Sequence, residues 1–194
     1  MTIHKRIDAS EGTIGRRDFL KGTAGLTFTV AIGSKGASLI GSAKAEMAQE
    51  ISAWVRISPD DVITIITPAA EMGQGSMTGV PVVLAEELDA DWSKVTLEMA
   101  PADVDIYGYE VRGNKAMAIV GSRAVMMYFD QMRIAGAQAR KVLMMNAAGK
   151  WDVPLSELTT EPNTVVHAAS GRRLSYGEIA SFATMPAAMP EISK

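Results

Sequence analysis

Apolar positions change their spacing along this chain, and each change marks an element. Residues 53–57 and 62–67 are short β-branched and apolar runs, with Ser58-Pro59-Asp60-Asp61 between them as turn chemistry, so they read as a hairpin. Met77, Val80, Leu84 and Leu88 then recur at helical spacing. Ser76 or Thr78 is placed to cap that helix, and Pro81 must sit in its first turn or bend it. Residues 94–99 alternate around Val95 and Leu97 and predict a third strand, and residues 100–118 read as an irregular loop. A long helix follows over 122–148. Val125, Phe129, Met132, Gly136, Ala139, Leu143 and Asn146 line one face of it, and Gly149 is placed as its terminator. Gly136 and Ala139, small residues at the centre of that face, would let another backbone approach. Residues 151–158 read as a connector with a short helix capped at Ser156. Residues 164–167 and 171–174 read as strands, and Ser175 caps a last short helix running to Ala183. The pattern predicts an α+β layer: a small mixed or antiparallel sheet covered by two main helices.

Composition narrows the chemistry. The chain has 194 residues and no cysteine, which excludes disulfides, thiolate zinc sites and iron–sulfur clusters held by this chain. Its two histidines, His4 and His167, are too far apart in sequence to suggest a metal site, and a structural role is expected for His167 in its strand. The thirteen methionines read as adaptable core filling.

Residues 1–45 read as an export signal. Arg16-Arg17-Asp18-Phe19-Leu20-Lys21 is a twin-arginine motif, a weakly apolar run follows, and Ala43-Lys44-Ala45 offers a small-x-small cleavage site. Gly15 stands where Ser or Thr is usual before the arginines. The twin-arginine route carries folded proteins, so the leader predicts a periplasmic location and favours a prosthetic group inserted before export. Without residues 1–45 the chain keeps twelve basic against nineteen acidic residues, a net charge of −7, which makes it a poor nucleic-acid binder.

Two segments can cradle an anion. Glu71-Met72-Gly73-Gln74-Gly75 links a strand to a helix, and its glutamine brings a side-chain amide. Gly121-Ser122-Arg123 begins the long helix. Each start supplies free N–H groups and a positive dipole end, and both could serve one phosphate-bearing ligand if the helices lie on one face of the sheet. Two ordinary helix caps would produce the same pattern. Glu86-Glu87 and Asp89 to Asp91 read as a solvated face. No serine-nucleophile motif and no lysine-containing phosphate loop is present.

The segments Trp54-Val55-Arg56-Ile57, Glu71-Met72-Gly73-Gln74-Gly75 and Ala85-Glu86-Glu87-Leu88-Asp89-Ala90-Asp91-Trp92-Ser93-Lys94-Val95 carry a family likeness. So do Ala100-Pro101-Ala102-Asp103 and Gly171-Arg172-Arg173-Leu174-Ser175-Tyr176-Gly177-Glu178. Together they resemble the molybdopterin-binding large subunit of the xanthine dehydrogenase/aldehyde oxidase family, most closely the branch formed by the β-subunits of isoquinoline 1-oxidoreductases. That branch also begins with a twin-arginine leader.

The resemblance implies that residues 46–194 are an N-terminal portion of a larger molybdopterin-binding fold. It implies molybdenum held by molybdopterin, as the cytosine dinucleotide in bacterial members, and oxidation of an aldehyde or an aromatic N-heterocycle. Gly73, Gln74, Gly75, Gly121 and Ser122 map onto the family's cofactor contacts. The implied partners are an iron–sulfur small subunit, the remainder of the large subunit and a cytochrome c electron acceptor. No residue here maps onto the family's catalytic glutamate or its Gly-rich Phe-containing loop, so these residues alone are expected to be inactive. Ile119-Val120-Gly121-Ser122 departs from the usual Thr-Gly-Gly-Ser, and Met77 stands where relatives often have His. Two other readings fit the same residues: a periplasmic binding or interaction domain with a degenerate cofactor site, and a dinucleotide-binding oxidoreductase fragment. The second lacks the full Gly-x-Gly-x-x-Gly spacing.

Overall fold

The computed structural model describes residues 49–192, so the predicted leader and its boundary at residue 45 lie outside the described residues. The predicted hairpin is present as β2 (Val55–Ile57) and β3 (Ile63–Thr67), antiparallel with Val55 opposite Ile65. β2 begins two residues later than expected, because residues 53 and 54 form the turn from an additional strand, β1 (Gln49–Ser52), which pairs antiparallel with β2. From β3 the chain passes through α1 (Ser76–Leu88) and returns as β4 (Val95–Met99), parallel to β3. The result is a mixed four-stranded sheet in the order β1-β2-β3-β4.

The stretch 100–118, expected to be irregular, is ordered. Asp103 accepts from the amides of Asp105 and Ile106 and starts the single-turn α2 (Val104–Tyr107). β5 (Tyr109–Val111) and β6 (Asn114–Ala116) then form a hairpin that turns through left-handed Arg112 and Gly113. The contacts that hold this stretch come from remote segments. Tyr107 donates to the Ala53 carbonyl, and Tyr109 packs edge-on against Tyr128 at 5.2 Å between ring centres. Local periodicity carries no trace of them.

The long helix is α3 (Arg123–Trp151), three residues longer at its C-terminal end than predicted, with Gly149 inside it. It continues because its end is satisfied from elsewhere: Arg172 donates to the Trp151 carbonyl at 3.2 Å, and left-handed Asp152 closes the last turn. The predicted buried face holds for Met132, Gly136, Ala139 and Leu143. It fails at the start, where Tyr128 is fully buried while Val125 and Phe129 are exposed. Residues 155–157 make one 3₁₀ turn that begins at Pro154 rather than at a Ser156 cap.

β7 (Leu158–Glu161), β8 (Thr164–His167) and β9 (Arg172–Ser175) form a separate antiparallel sheet. One continuous sheet was expected. Tight turns pair these strands with one another, so their backbone groups are satisfied locally and the first sheet supplies none of their partners. Ser175 caps α4 (Tyr176–Ala180) in a reciprocal capping box with Glu178, as its sequence predicts, but the helix stops at Ala180 rather than Ala183. One apolar cluster joins Val55, Ile57, Ile63 and Ile65 of the sheet to Val80, Leu84 and Leu88 of α1, Met132, Ala139 and Leu143 of α3, and Tyr176 and Ile179 of α4. The class is α+β, with two main helices on the sheet.

Candidate functional site

Three contacts fix how α1 and α3 lie together. A Cβ at Gly79 would meet Val125 Cγ2 at 3.7 Å, a Cβ at Gly136 would meet the Leu84 carbonyl oxygen at 2.3 Å, and Arg133 pairs with Glu87 at 2.5 Å. From the Gly79–Val125 contact to the other two, residue numbers rise along both helices, so the pair runs in the same direction and both N-termini open at one end. The sequence left this convergence conditional, and the structure makes it.

At the start of α1, Gly73 (φ 93°) and Gly75 (φ 82°) are left-handed, and none of the described residues lies within 4 Å of where their Cβ atoms would be. Gly75 is itself the cap residue, so neither Ser76 nor Thr78 caps the helix. Pro81 is the sixth helical residue, inside the helix rather than in its first turn. The carboxylate of Glu71 does the capping. Its Oε1 accepts from Gly73 N at 2.6 Å and Gly75 N at 3.0 Å, and its Oε2 accepts from Met77 N at 2.9 Å. These amide hydrogen bonds, that of Met77 first, hold the Glu71 carboxyl below its ordinary pKa. Gln74 is turned back on the loop: Nε2 donates to the Ala70 carbonyl and to Ser76 Oγ, each at 2.7 Å, and Oε1 accepts from Met72 N at 2.6 Å. The sequence reading of Gln74 as a free donor and acceptor is thereby narrowed, since both of its N–H groups are engaged.

The start of α3 is open. Gly121 (φ 70°) and Ser122 (φ 61°) are consecutive left-handed residues, and the Ser122 side chain makes no capping bond. The only backbone closure among the described residues is Arg123 N to Ile119 O at 3.4 Å. The amides of the first turn of α3 and the Arg123 side chain therefore leave a positive end for an anion. Around both starts the surface is apolar: Met72 is 77% exposed, Val120 68% and Met126 65%, with Val125 and Phe129 beside them. All five predicted contact residues, Gly73, Gln74, Gly75, Gly121 and Ser122, are exposed at this end.

Other polar candidates lie elsewhere. Glu87 is tied to Arg133 near the far end of α1, about 20 Å along the helix from the glycine turn. His167 is buried, with Nδ1 2.7 Å from Ser170 Oγ and Nε2 2.9 Å from Glu157 Oε2. Its neighbour Trp151 ends α3, roughly 40 Å from that helix's start, which gives His167 the structural role expected of it. Among the described residues no group of three or more His, Cys, Asp or Glu could hold a metal, and no helix is long and apolar enough to cross a membrane. Glu71 was missed as a functional residue. Its place two residues before a Gly-x-Gly turn is compatible with reaching the amides that the turn leaves unpaired, but does not distinguish it from an ordinary exposed acid.

The profile of the molybdopterin cofactor-binding domain matches residues 3–193. The chain belongs to this family. The β-subunit of isoquinoline 1-oxidoreductase from Brevundimonas diminuta is 38% identical over 91% of the chain and 23% of that relative. The membrane-bound aldehyde dehydrogenase [pyrroloquinoline-quinone] of Gluconacetobacter polyoxogenes is 31% identical over 87% of the chain and 21% of its own length. Among solved structures, quinoline 2-oxidoreductase from Pseudomonas putida 86 aligns with a TM-score of 0.46 at 20% identity, covering 66% of this chain and 15% of its own. The molybdopterin-binding domain described here thus spans less than a quarter of the first curated relatives it matches.

The donor set fits such a cofactor. A pterin carrying phosphate needs one region of neutral polar groups and one of positive potential. The Gly-Gln-Gly turn, neutralised by Glu71, is the first, and the uncapped start of α3 beside Arg123 is the second.

Proposed function

We propose that the paired starts of α1 and α3 hold the molybdenum cofactor, as the cytosine dinucleotide form of molybdopterin, within the large subunit of an exported molybdenum hydroxylase. The observation that carries this is the convergence of the two glycine turns at one end of a parallel helix pair, in a chain whose family binds molybdopterin. Gly73, Gln74 and Gly75 face the neutral ring system, and Gly121 and Ser122, with the first turn of α3 and Arg123, face the phosphate. Left-handed glycines with open space at Cβ let the backbone itself reach the ligand.

When bound, the molybdenum centre supplies a two-electron oxidation of an aldehyde or aromatic N-heterocycle with oxygen from water. This chain's own residues bind and orient the cofactor. The general base comes from another part of the large subunit. Electrons leave through a separate iron–sulfur subunit, in keeping with a chain free of cysteine, and a cytochrome c accepts them. The twin-arginine leader directs the folded assembly to the periplasm.

The test is to express the reading frame with its neighbouring frames, purify the assembly from the periplasm, and measure molybdenum, pterin and acid-released nucleotide. Near-stoichiometric molybdenum and pterin with cytidine monophosphate is the expected result. An assembly with neither molybdenum nor pterin overturns the proposal in favour of a binding domain with a lapsed site.

A further inference from the structure

The glycine turn is organised by a residue outside the glycine bracket. Glu71 occupies the helix start with its own carboxylate and takes the amides of Gly73, Gly75 and Met77. An external anion would meet a negative group there, so the α1 start does not serve the phosphate.

The orientation of the Gln74 amide follows from its neighbours. Met72 N–H needs an acceptor, and the Ala70 carbonyl, which also accepts from Ser76 Oγ, would face the amide oxygen if Gln74 were flipped, so only one of the two amide orientations fits. With both Nε2 hydrogens engaged, Gln74 keeps one carbonyl lone pair for a ligand. The backbone amides of Gln74 and Ser76 have no acceptor among the described residues. The amides of residues 73, 75 and 77 are engaged by Glu71, and those of 74 and 76 are free.

We propose that Glu71 is the positioning residue of this turn: its carboxylate sets the ligand-facing shape before any ligand arrives, and leaves the Gln74 carbonyl oxygen and the Gln74 and Ser76 amides as what the turn offers. The assignment of a role toward the cofactor rests on the functional reading above, whereas the lock itself does not. The lowered pKa of Glu71, caused chiefly by the Met77 and Gly75 amides, agrees with a carboxylate held ionised by these bonds. The ligand group that meets the Gln74 side chain is accordingly a hydrogen-bond donor, the free Gln74 and Ser76 amides meet a neutral acceptor, and the ligand's negative group points to α3.

Amide hydrogen exchange on the full chain in its assembly, with and without cofactor, tests the lock. In the cofactor-free wild type the amides of residues 73, 75 and 77 are expected to be protected. In Glu71→Ala they are expected to exchange at least about tenfold faster, the loss of roughly one hydrogen bond's worth of protection at each amide. Glu71→Gln keeps one acceptor oxygen for Gly73 and Gly75 but presents N–H groups toward Met77, so it restores the first two amides and not the third. In the same preparations, pterin retained through gel filtration is expected to fall about tenfold in Glu71→Ala and to recover in part in Glu71→Gln, with the melting temperature nearly unchanged. Unchanged exchange in Glu71→Ala, or unchanged pterin retention in that variant, overturns the proposal. A wild-type assembly without pterin overturns the functional reading and the cofactor role with it, while the exchange result still decides the lock.

Discussion

Gly136 of α3 lies against the backbone of Leu84 in α1, where a Cβ at residue 136 would stand 2.3 Å from the Leu84 carbonyl oxygen and 3.0 Å from Glu87 Cβ. Of the two glycine contacts between the helices this is the tighter, since a Cβ at Gly79 would meet Val125 Cγ2 at an ordinary 3.7 Å. The absence of a side chain at residue 136 is what lets the two backbones approach here.

Substituting Gly136→Ala is expected to destabilise the fold by about 1–3 kcal/mol, because backbone rather than a flexible side chain must move. Gly79→Ala, at the other contact of the same helix pair, meets only Val125 Cγ2 at an ordinary 3.7 Å and is expected to stabilise by up to about 1 kcal/mol through helix propensity. Urea denaturation of both variants checks this, and opposite signs are the expected result.

Ser122 is a non-glycine residue at φ 61° whose side chain makes no capping hydrogen bond among the described residues to offset its strain. Ser122→Gly should therefore stabilise the isolated fold by about 1 kcal/mol. Gly121→Ala at φ 70° should cost about as much, although its Cβ meets nothing. Thermal unfolding separates the two, with the melting temperature rising in the first and falling in the second.

Tyr128 is fully buried, and its hydroxyl has no hydrogen-bond partner among the described residues. Tyr128→Phe removes that unpaired group without opening a cavity and is expected to raise stability by about 1 kcal/mol. Burial, and secondarily Tyr109, pushes the Tyr128 phenol up to about 12. An unfolded tyrosine ionises near 10, so the contribution of this raised group is fully present below pH 10 and is lost as the pH climbs toward 12. Wild type should lose stability across that window more steeply than the Phe variant, measured by denaturant midpoints at fixed intervals of pH.

For Glu71 the sign is opposite. Its folded pKa lies below its unfolded value, so its bonds support the turn above the ordinary glutamate range and release it as the pH falls through the folded pKa. Exchange of the amides of residues 73, 75 and 77, corrected for intrinsic rates, should accelerate on acidification below the ordinary 4.5, and Glu71→Gln should flatten that dependence.

Much of this architecture was legible in the sequence because it is local. The hairpin of β2 and β3 announced itself by β-branched runs around Pro59-Asp60, and α1 by its spacing after Gly75. The Ser175–Glu178 capping box was equally plain. The importance of Gly136 was legible too, as a small residue in an apolar helical face. What stayed hidden depends on distant partners. The ordering of residues 100–118 needs Tyr107 to reach Ala53 and Tyr109 to reach Tyr128, and the extension of α3 past Gly149 needs Arg172 at the Trp151 carbonyl. At the site, both glycine turns could be named from sequence, but the internal anion could not. Glu71 reads as any exposed acid until its oxygens are seen on three backbone amides.

If the adjoining starts of α1 and α3 hold the cofactor, as proposed, the pterin content of the purified assembly depends on them. Gln74→Ala is predicted to reduce retained pterin about tenfold, whereas Trp92→Ala, just beyond the far end of α1, leaves it at the wild-type level. Equal pterin content in the wild type and the Gln74→Ala variant would show that the glycine turn does not hold the cofactor.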